Sequence, residues 1–405
     1  MGRSTGYHSL RSGDQPAGTY HQNLPRGRKS LSDAHIDGFH ADRVGLARWL
    51  AGAAGVGAIG TIAGITLARS MTRRGAVTDD PYADEDFETL DGDRSYLVTT
   101  PDGVPLAVRE VGPTDAPLTV VFAHGFCLRM GAFHFQRMRL SEEWGAGVRM
   151  IFYDQRGHGR SGEAPPATYT VPQLGQDMET VLQVIAPRGP IVLVGHSMGG
   201  MTVLAHARQY PGHYGNRIVG AALISSAAEG VAKSPLGEIL NNPALDAVRR
   251  AARSAPKLVH RGRNVSRSVI GPILRAASYA DVYVSPSVVA FSEEMMLGTP
   301  IPTMVEFLHA LQVHDETAAL ATLAKIPTLI VCGDHDLVTP AEYSEKMADA
   351  LPQSELVIVS KSGHLVLLSK PDPINDGLVR LVRRASPGRL AALSQRWRER
   401  VWGRG

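Results

Sequence analysis

Six short runs dominate the hydrophobic pattern of this chain: LTVVFA (118–123), VRMIFY (148–153), IVLV (191–194), VGAALIS (219–225), IPTLIVC (326–332) and SELVIV (354–359). Each is almost wholly apolar and rich in β-branched residues. Such runs suit strands of a parallel sheet buried on both faces. Two further runs, RSYLVTT and VPLAVREV, flank a Pro-Asp-Gly turn and predict a β-hairpin. Between the strands the apolar positions take a helical period, over 133–143, 171–185, 198–209, 341–350 and 365–384. Strands alternating with helices predict an α/β fold with a doubly wound, mostly parallel, eight-stranded sheet.

The alternation fails in one interval. Between Ser226 and Lys325 about a hundred residues carry no convincing buried strand. They carry helical patterns near 235–254, 269–279, 286–296 and 302–314. A segment of that length between core strands reads as a folded helical cap.

The ends of the chain are different again. Residues 1–43 are polar with no apolar period and read as disordered. Leu50 to Ala68 holds no charge, with Arg43 and Arg48 before it and Arg69, Arg73 and Arg74 after. Its length matches a bilayer crossing, and Gly60-x-x-x-Gly64 suits close helix packing. The alternatives are a buried Gly/Ala-rich soluble helix and a cleaved signal peptide, the latter disfavoured by the long n-region. The reading adopted is a single transmembrane anchor, in a bacterial inner membrane, whose flanking charges favour a cytoplasmic catalytic domain. Residues 78–93 are acidic and read as a solvated linker. From Arg380 onward eight arginines face one glutamate, and Leu390, Leu393, Trp397 and Val401 recur at helical spacing. That is a basic amphipathic helix, suited either to an anionic membrane surface or to packing on the core. The expected organisation is therefore a tail (1–43), an anchor (44–70), a linker (71–93), a core in two parts (94–226 and 326–384) around a cap (227–325), and a basic tail (385–405).

Composition adds exclusions. The chain has 405 residues, 43% hydrophobic and 20% charged, with a net charge of +3. No nucleic-acid partner is expected from that balance. Cys127 and Cys332 give neither a disulfide framework nor a zinc motif. No dinucleotide-binding or phosphate-binding glycine loop occurs, and no His/Asp/Glu cluster has a metal spacing, so no cofactor and no metal is expected. Oligomeric state is not legible.

The chemistry centres on GHSMGG, Gly195–Gly200, which follows a buried strand and opens a helical pattern. In that strand–turn–helix context the turn lifts the Ser197 hydroxyl above the sheet, and flanking glycines avoid collisions. A serine hydroxyl needs a base to take its proton. His364 lies in the loop after the run 354–359. The loop after 326–332 reads Gly333-Asp334-His335-Asp336 and offers two candidate acids.

With HGF (His124–Phe126), YDQRGHGRS (Tyr153–Ser161), GDHD followed by Thr339-Pro340, and SGH (Ser362–His364), the stretch from Arg94 to Arg384 resembles the α/β-hydrolase superfamily, in its cap-containing serine esterase and lipase branch with haloperoxidase-like relatives. The resemblance implies Ser197 as nucleophile and His364 as base. It selects Asp336 as the acid and Asp334 as a turn residue. It implies an oxyanion hole made by the Met198 amide and the Phe126 amide, with Cys127 as the other choice. Arg156 and His158 would brace the neighbouring loop. Family members often carry Glu where this chain has Ser369. The implied function is hydrolysis of a carboxylic ester, from a small-molecule or lipid-type substrate, through an acyl-enzyme. Perhydrolysis of the haloperoxidase type and a non-catalytic binding protein are the alternatives.

Overall fold

The computed structural model describes residues 7–10, 80–87, 92–234, 278–279 and 283–386. Its centre is one nine-stranded sheet. In chain order the strands are β1 (Tyr7–Leu10), β2 (Arg94–Thr99), β3 (Pro105–Val111), β4 (Leu118–Ala123), β5 (Val148–Tyr153), β6 (Ile191–His196), β7 (Ile218–Ile224), β8 (Thr328–Gly333) and β9 (Glu355–Val359). Their order across the sheet is β1-β2-β3-β5-β4-β6-β7-β8-β9. The first three are antiparallel, β3 meets β5 antiparallel, and every pair from β5 to β9 is parallel.

Every residue of β4 and β6 is buried. Along β4, Val120 and Phe122 enter one hydrophobic cluster while Val121 and Ala123 enter the other. This is the side-chain alternation of a strand covered on both faces, and it accounts for the uninterrupted apolar runs. On one face lie α1 (His134–Trp144) and α7 (Pro371–Ala385), through Leu140, Ile374, Leu378 and Leu381. On the other lie α2 (Val171–Ile185), α3 (Met198–Gln209) and α6 (Ala341–Ala350), through Met178, Leu182, Val203, Leu204 and Met347. Two cap helices are described, α4 (Pro286–Gly298) and α5 (Ile301–Gln312). The expected cap helices near 235–254 and 269–279 fall outside the described residues, apart from Ser278 and Tyr279.

The eight expected strands are present as β2–β9, and a ninth, Tyr7–Leu10, pairs antiparallel with β2 inside the stretch read as a disordered tail. Two other expectations are corrected. The helical period over 365–384 is two helices, a single turn Val366–Ser369 and α7, because Pro371 keeps Lys370 out of the helical region (φ −142°, ψ 68°). The acidic linker is not simply solvated over 80–87. Asp80 accepts from the Ser285 hydroxyl and from Ser287 N–H (3.0 Å) and Oγ (2.7 Å) at the start of α4. Phe87 stacks on Phe291 of α4 at 4.6 Å, and Glu85 bonds His134 of α1 at 2.7 Å. An acidic run thus straps the cap to the core, because its aromatic residues find apolar partners while its carboxylates cap a helix.

The expected anchor at 50–68 and the basic tail beyond 386 lie outside the described residues. Among the described residues no helix is long and apolar enough to cross a membrane.

Candidate active site

The strand order reverses at β4: β5 lies on one side of it and β6 on the other. Crevices above the carboxyl ends of strands at such a reversal are where open α/β sheets bind ligands. Here the loops after β4, β6, β8 and β9 meet. Among the described residues four non-glycine residues have positive φ: Cys127, Ser197, Ser225 and Lys361. They follow β4, β6, β7 and β9 respectively. Backbone strain is therefore gathered at one end of the sheet, as it commonly is at functional sites.

Ser197 has φ 53° and ψ −119° between β6 and α3. Its own N–H bonds Ile224 O at 2.9 Å, and its carbonyl accepts from Gly200 N–H and Ser226 Oγ, each at 2.9 Å. These bonds hold the turn that points the side chain away from the strand. The glycines around it are demanded by space. A Cβ on Gly195 would lie 2.3 Å from Gly199 O, and one on Gly199 would lie 1.9 Å from Ala123 O. Both obstacles are backbone and cannot swing aside. Gly199→Ala is accordingly expected to lower the unfolding free energy by at least about 3 kcal/mol, the upper range of overpacking costs. Urea denaturation checks this; a loss under about 1 kcal/mol would contradict the fit.

The three polar side chains converge. His364 Nε2 lies 2.8 Å from Ser197 Oγ, and His364 Nδ1 lies 2.8 and 3.0 Å from the two Asp336 oxygens. All three residues are buried. Asp336 also accepts from Val338 N–H (2.8 Å), Thr339 N–H (2.9 Å) and Thr339 Oγ1 (3.0 Å). Burial by itself would raise its carboxyl, but His364 and these donors outweigh it and hold the pKa below the ordinary carboxylate range. Asp334, by contrast, is exposed. Burial raises its carboxyl, but His335 Nδ1 at 2.6 Å from Oδ1 and the Ser362 N–H at 3.1 Å outweigh that and bring its pKa to about 2. Of the two acids in GDHD, only Asp336 is hydrogen-bonded to His364.

The loop after β4 crosses directly over the serine. A Cβ on Gly125 would stand 3.1 Å from Ser197 Cβ and 2.7 Å from His196 Nδ1. The Cys127 N–H is engaged by His158 Nε2 at 3.2 Å. His158 can accept because Nδ1–H donates to Arg156 O (3.0 Å) and because burial lowers its pKa to about 4, so it is neutral near pH 7. Among the described residues no hydrogen bond takes up the Phe126 or the Met198 amide. Two amides therefore stay open beside Ser197, and Met198 is the first residue of α3, whose amino terminus favours negative charge.

The YDQRGHGRS run supports this loop. Asp154 accepts from Met130 N–H (2.7 Å) and Arg160 N–H (2.8 Å), and Gln155 N–H donates to His124 Nε2 at 2.9 Å. Arg156, fully buried, bonds Asp177 through Nε and Nη2, each at 2.6 Å, and Asp102 at 2.8 and 3.1 Å. At the departure from the family pattern, Ser369 Oγ meets Ser362 Oγ at 3.2 Å, a hydroxyl pair where a carboxylate often stands. The cap also touches the site: Leu365 N–H donates to Ser278 O at 3.1 Å, beside His364. No sequence signal marked that contact.

In chemical terms, a neutral imidazole held by a carboxylate and bonded to a serine hydroxyl can take that proton during attack on a carbonyl carbon and return it to a leaving group. Two open amides beside the serine can stabilise the oxyanion so formed.

Comparison with known proteins agrees with the fold. A monoacylglycerol lipase of Mycolicibacterium smegmatis is 30% identical over 197 residues, 44% of this chain and 65% of that protein. A bifunctional esterase/perhydrolase of Acinetobacter calcoaceticus is 26% identical over 288 residues, 71% of this chain and 99% of that protein. Among solved structures, an esterase from Thermogutta terrifontis superposes with a TM-score of 0.57 at 24% identity, covering 72% of this chain and 98% of the other. The model of the α/β hydrolase fold matches residues 119–371. That match runs from β4 into the first residue of α7 and takes in Ser197, Asp336 and His364, so the chain belongs to the α/β hydrolase fold family.

Proposed function

We propose that this protein is a serine hydrolase that cleaves a carboxylic ester of acyl or lipid type through an acyl-enzyme. The observation that carries the reading is the 2.8 Å contact of His364 Nε2 with Ser197 Oγ on a strained turn. In this reading Ser197 attacks the ester carbonyl while His364 takes its proton. Asp336 orients the imidazole and stabilises its charge. The Phe126 and Met198 amides receive the oxyanion. His364 then protonates the departing alcohol, and water activated by His364 releases the acid. The esterase, lipase and perhydrolase relatives support the reaction class.

An apolar acyl group suits the surroundings. Met198, Met201, Tyr169, Val231, Phe307 and Leu311 form one buried cluster with Phe126 packed against it, beside the nucleophile. A fluorophosphonate probe should label the wild type, and p-nitrophenyl esters should show kcat/KM rising with acyl length. Each additional buried methylene is worth about 0.8 kcal/mol, or about fourfold. Absence of labelling on folded protein would sink the serine-hydrolase reading; a best rate on acetate, with no gain for longer chains, would sink the apolar-substrate reading alone.

The esterase/perhydrolase relative favours one second reading, formation of a peracid when hydrogen peroxide replaces water at the acyl-enzyme. Attachment to a bacterial inner membrane through residues 44–70 is the accompanying proposal. Deleting 44–70 is expected to move the protein from the membrane to the soluble fraction. Cysteines placed at positions 20 and 90 would then tell a full crossing, with opposite labelling, from attachment at one surface.

A further inference from the structure

Away from the active site, three residues meet that no sequence spacing connects. Glu179 lies on α2, His206 on the last turn of α3, and His213 on the single turn Pro211–His213. Glu179 Oε2 is 2.9 Å from His206 Nε2 and 3.4 Å from His213 Nδ1, and the three potential ligand atoms lie within 4.8 Å of one another. We propose that Glu179, His206 and His213 form a binding site for a divalent transition-metal ion of the zinc class.

Two ligands about 2.1 Å from a tetrahedral zinc ion stand about 3.4 Å apart, the separation of Glu179 Oε2 and His213 Nδ1. The 2.9 Å pair of Glu179 Oε2 and His206 Nε2 would open by about 0.5 Å to admit the ion. Two imidazoles and a carboxylate are the donor set such ions take, leaving a fourth position for water. The supporting contacts are also those of a metal site. Gln183 Nε2 donates to the other Glu179 oxygen at 2.8 Å and fixes the carboxylate. Tyr214 OH lies 2.9 Å from His206 Nδ1 and donates to Val203 O at 3.3 Å. Without a metal, Tyr214 OH can donate to His206 Nδ1 while Nε2–H donates to Glu179 Oε2; with the hydroxyl turned to Val203 O, the tyrosine oxygen accepts from Nδ1–H and the Nε2 lone pair is free to ligate a metal. An outer partner that orients the ligating histidine in this way is the usual companion of a metal ligand.

A second observation points the same way. His213 Nδ1 is buried and has no hydrogen-bond partner among the described residues. The same side chain is 34% exposed, so the site has an opening to solvent on this side. The nearby Arg217 guanidinium donates through Nη2 to the carbonyls of Leu182 (2.9 Å) and Ala186, while its buried Nε has no hydrogen-bond partner among the described residues.

The site is separate from the triad. His206 follows Ser197 by nine residues, about 13 Å along α3. A metal there would tie α2, α3 and the following turn together at the far end of the helix that begins at the nucleophile. Its effect is then on stability, with little on turnover.

The test uses full-length protein freed of metal with a chelator and titrated with zinc chloride by calorimetry, with thermal unfolding in parallel. The expected result is one equivalent bound with a submicromolar Kd and a raised Tm. Glu179→Gln, which keeps the bond to Gln183, and His213→Ala should each weaken binding by at least about 100-fold, since losing an outer partner alone costs 10–100-fold. Ester hydrolysis by both should stay near wild type, and Ser197→Ala should bind zinc as wild type does. If His213→Ala fails to fold, Glu179→Gln decides. Folded wild type that takes up no stoichiometric zinc would overturn the proposal. So would stoichiometric binding indifferent to Glu179→Gln.

Discussion

Ser197→Ala is expected to lower kcat by about 10⁵- to 10⁶-fold, the loss seen when a triad nucleophile is removed. The change deletes the one atom that His364 Nε2 contacts at 2.8 Å and leaves the turn in place. The turn is held by backbone bonds of residue 197 and by Ser226, none of which uses the lost hydroxyl. Fold and Tm should therefore be unchanged within about 2 °C. Fluorophosphonate labelling should vanish with the activity. The residual rate over water, from the two amides and from binding alone, should remain about 10³- to 10⁴-fold. A variant that kept more than about 1% of wild-type kcat would refute Ser197 as nucleophile and turn attention to the other groups at the strand ends.

Asp336→Asn carries the second large effect, a fall in kcat of about 10⁴-fold, because the amide can present a donor to His364 Nδ1 and so favour the wrong tautomer. Asp334→Asn, on an exposed side chain with no bond to His364, should stay within a few-fold of wild type. The pair of variants separates the two acids that the GDHD motif offers. Equal losses in both would contradict the assignment. Asp336 also makes a pH prediction. Its folded pKa is depressed, so its stabilising contribution is present above the unfolded carboxyl value of about 3.9 and is lost as pH falls through the folded value. The stability difference between wild type and Asp336→Asn, measured in urea, should therefore shrink as pH is lowered from 5 towards 3 and stay constant above 5.

Much of this centre was legible in the chain because its parts sit at strand ends. Ser197 follows β6 at once, Asp336 lies three residues after β8, and His364 five after β9. A buried strand is readable from a few adjacent apolar residues, so the loop after it is placed as soon as the strand is recognised. The glycines of GHSMGG were legible for the same reason, although the obstacle at Gly199, the carbonyl of Ala123, comes from a different strand. The choice between the Phe126 and Cys127 amides was not decided locally. It turns on His158, thirty-one residues beyond Cys127, which takes up the Cys127 N–H.

The remaining differences share a cause. The acidic stretch 80–87 reads as solvated because its charges dominate the pattern, yet Phe87 and Asp80 find Phe291 and Ser287 more than two hundred residues away. The polar stretch that contains Tyr7–Leu10 has no apolar period, and edge pairing with β2 needs only backbone groups. By itself the sequence determined the layered α/β architecture, the strand ends and the identities of Ser197, Asp336 and His364 as candidates. Those depend on hydrophobic period and turn chemistry, which act over a few residues. Tertiary structure alone decided the contact between Asp336 and the imidazole, the engagement of the Cys127 amide by His158, how the linker straps the cap, and that Glu179, His206 and His213 meet. Those depend on how separate elements pack against one another, and no local pattern encodes a distance between residues that only packing brings together.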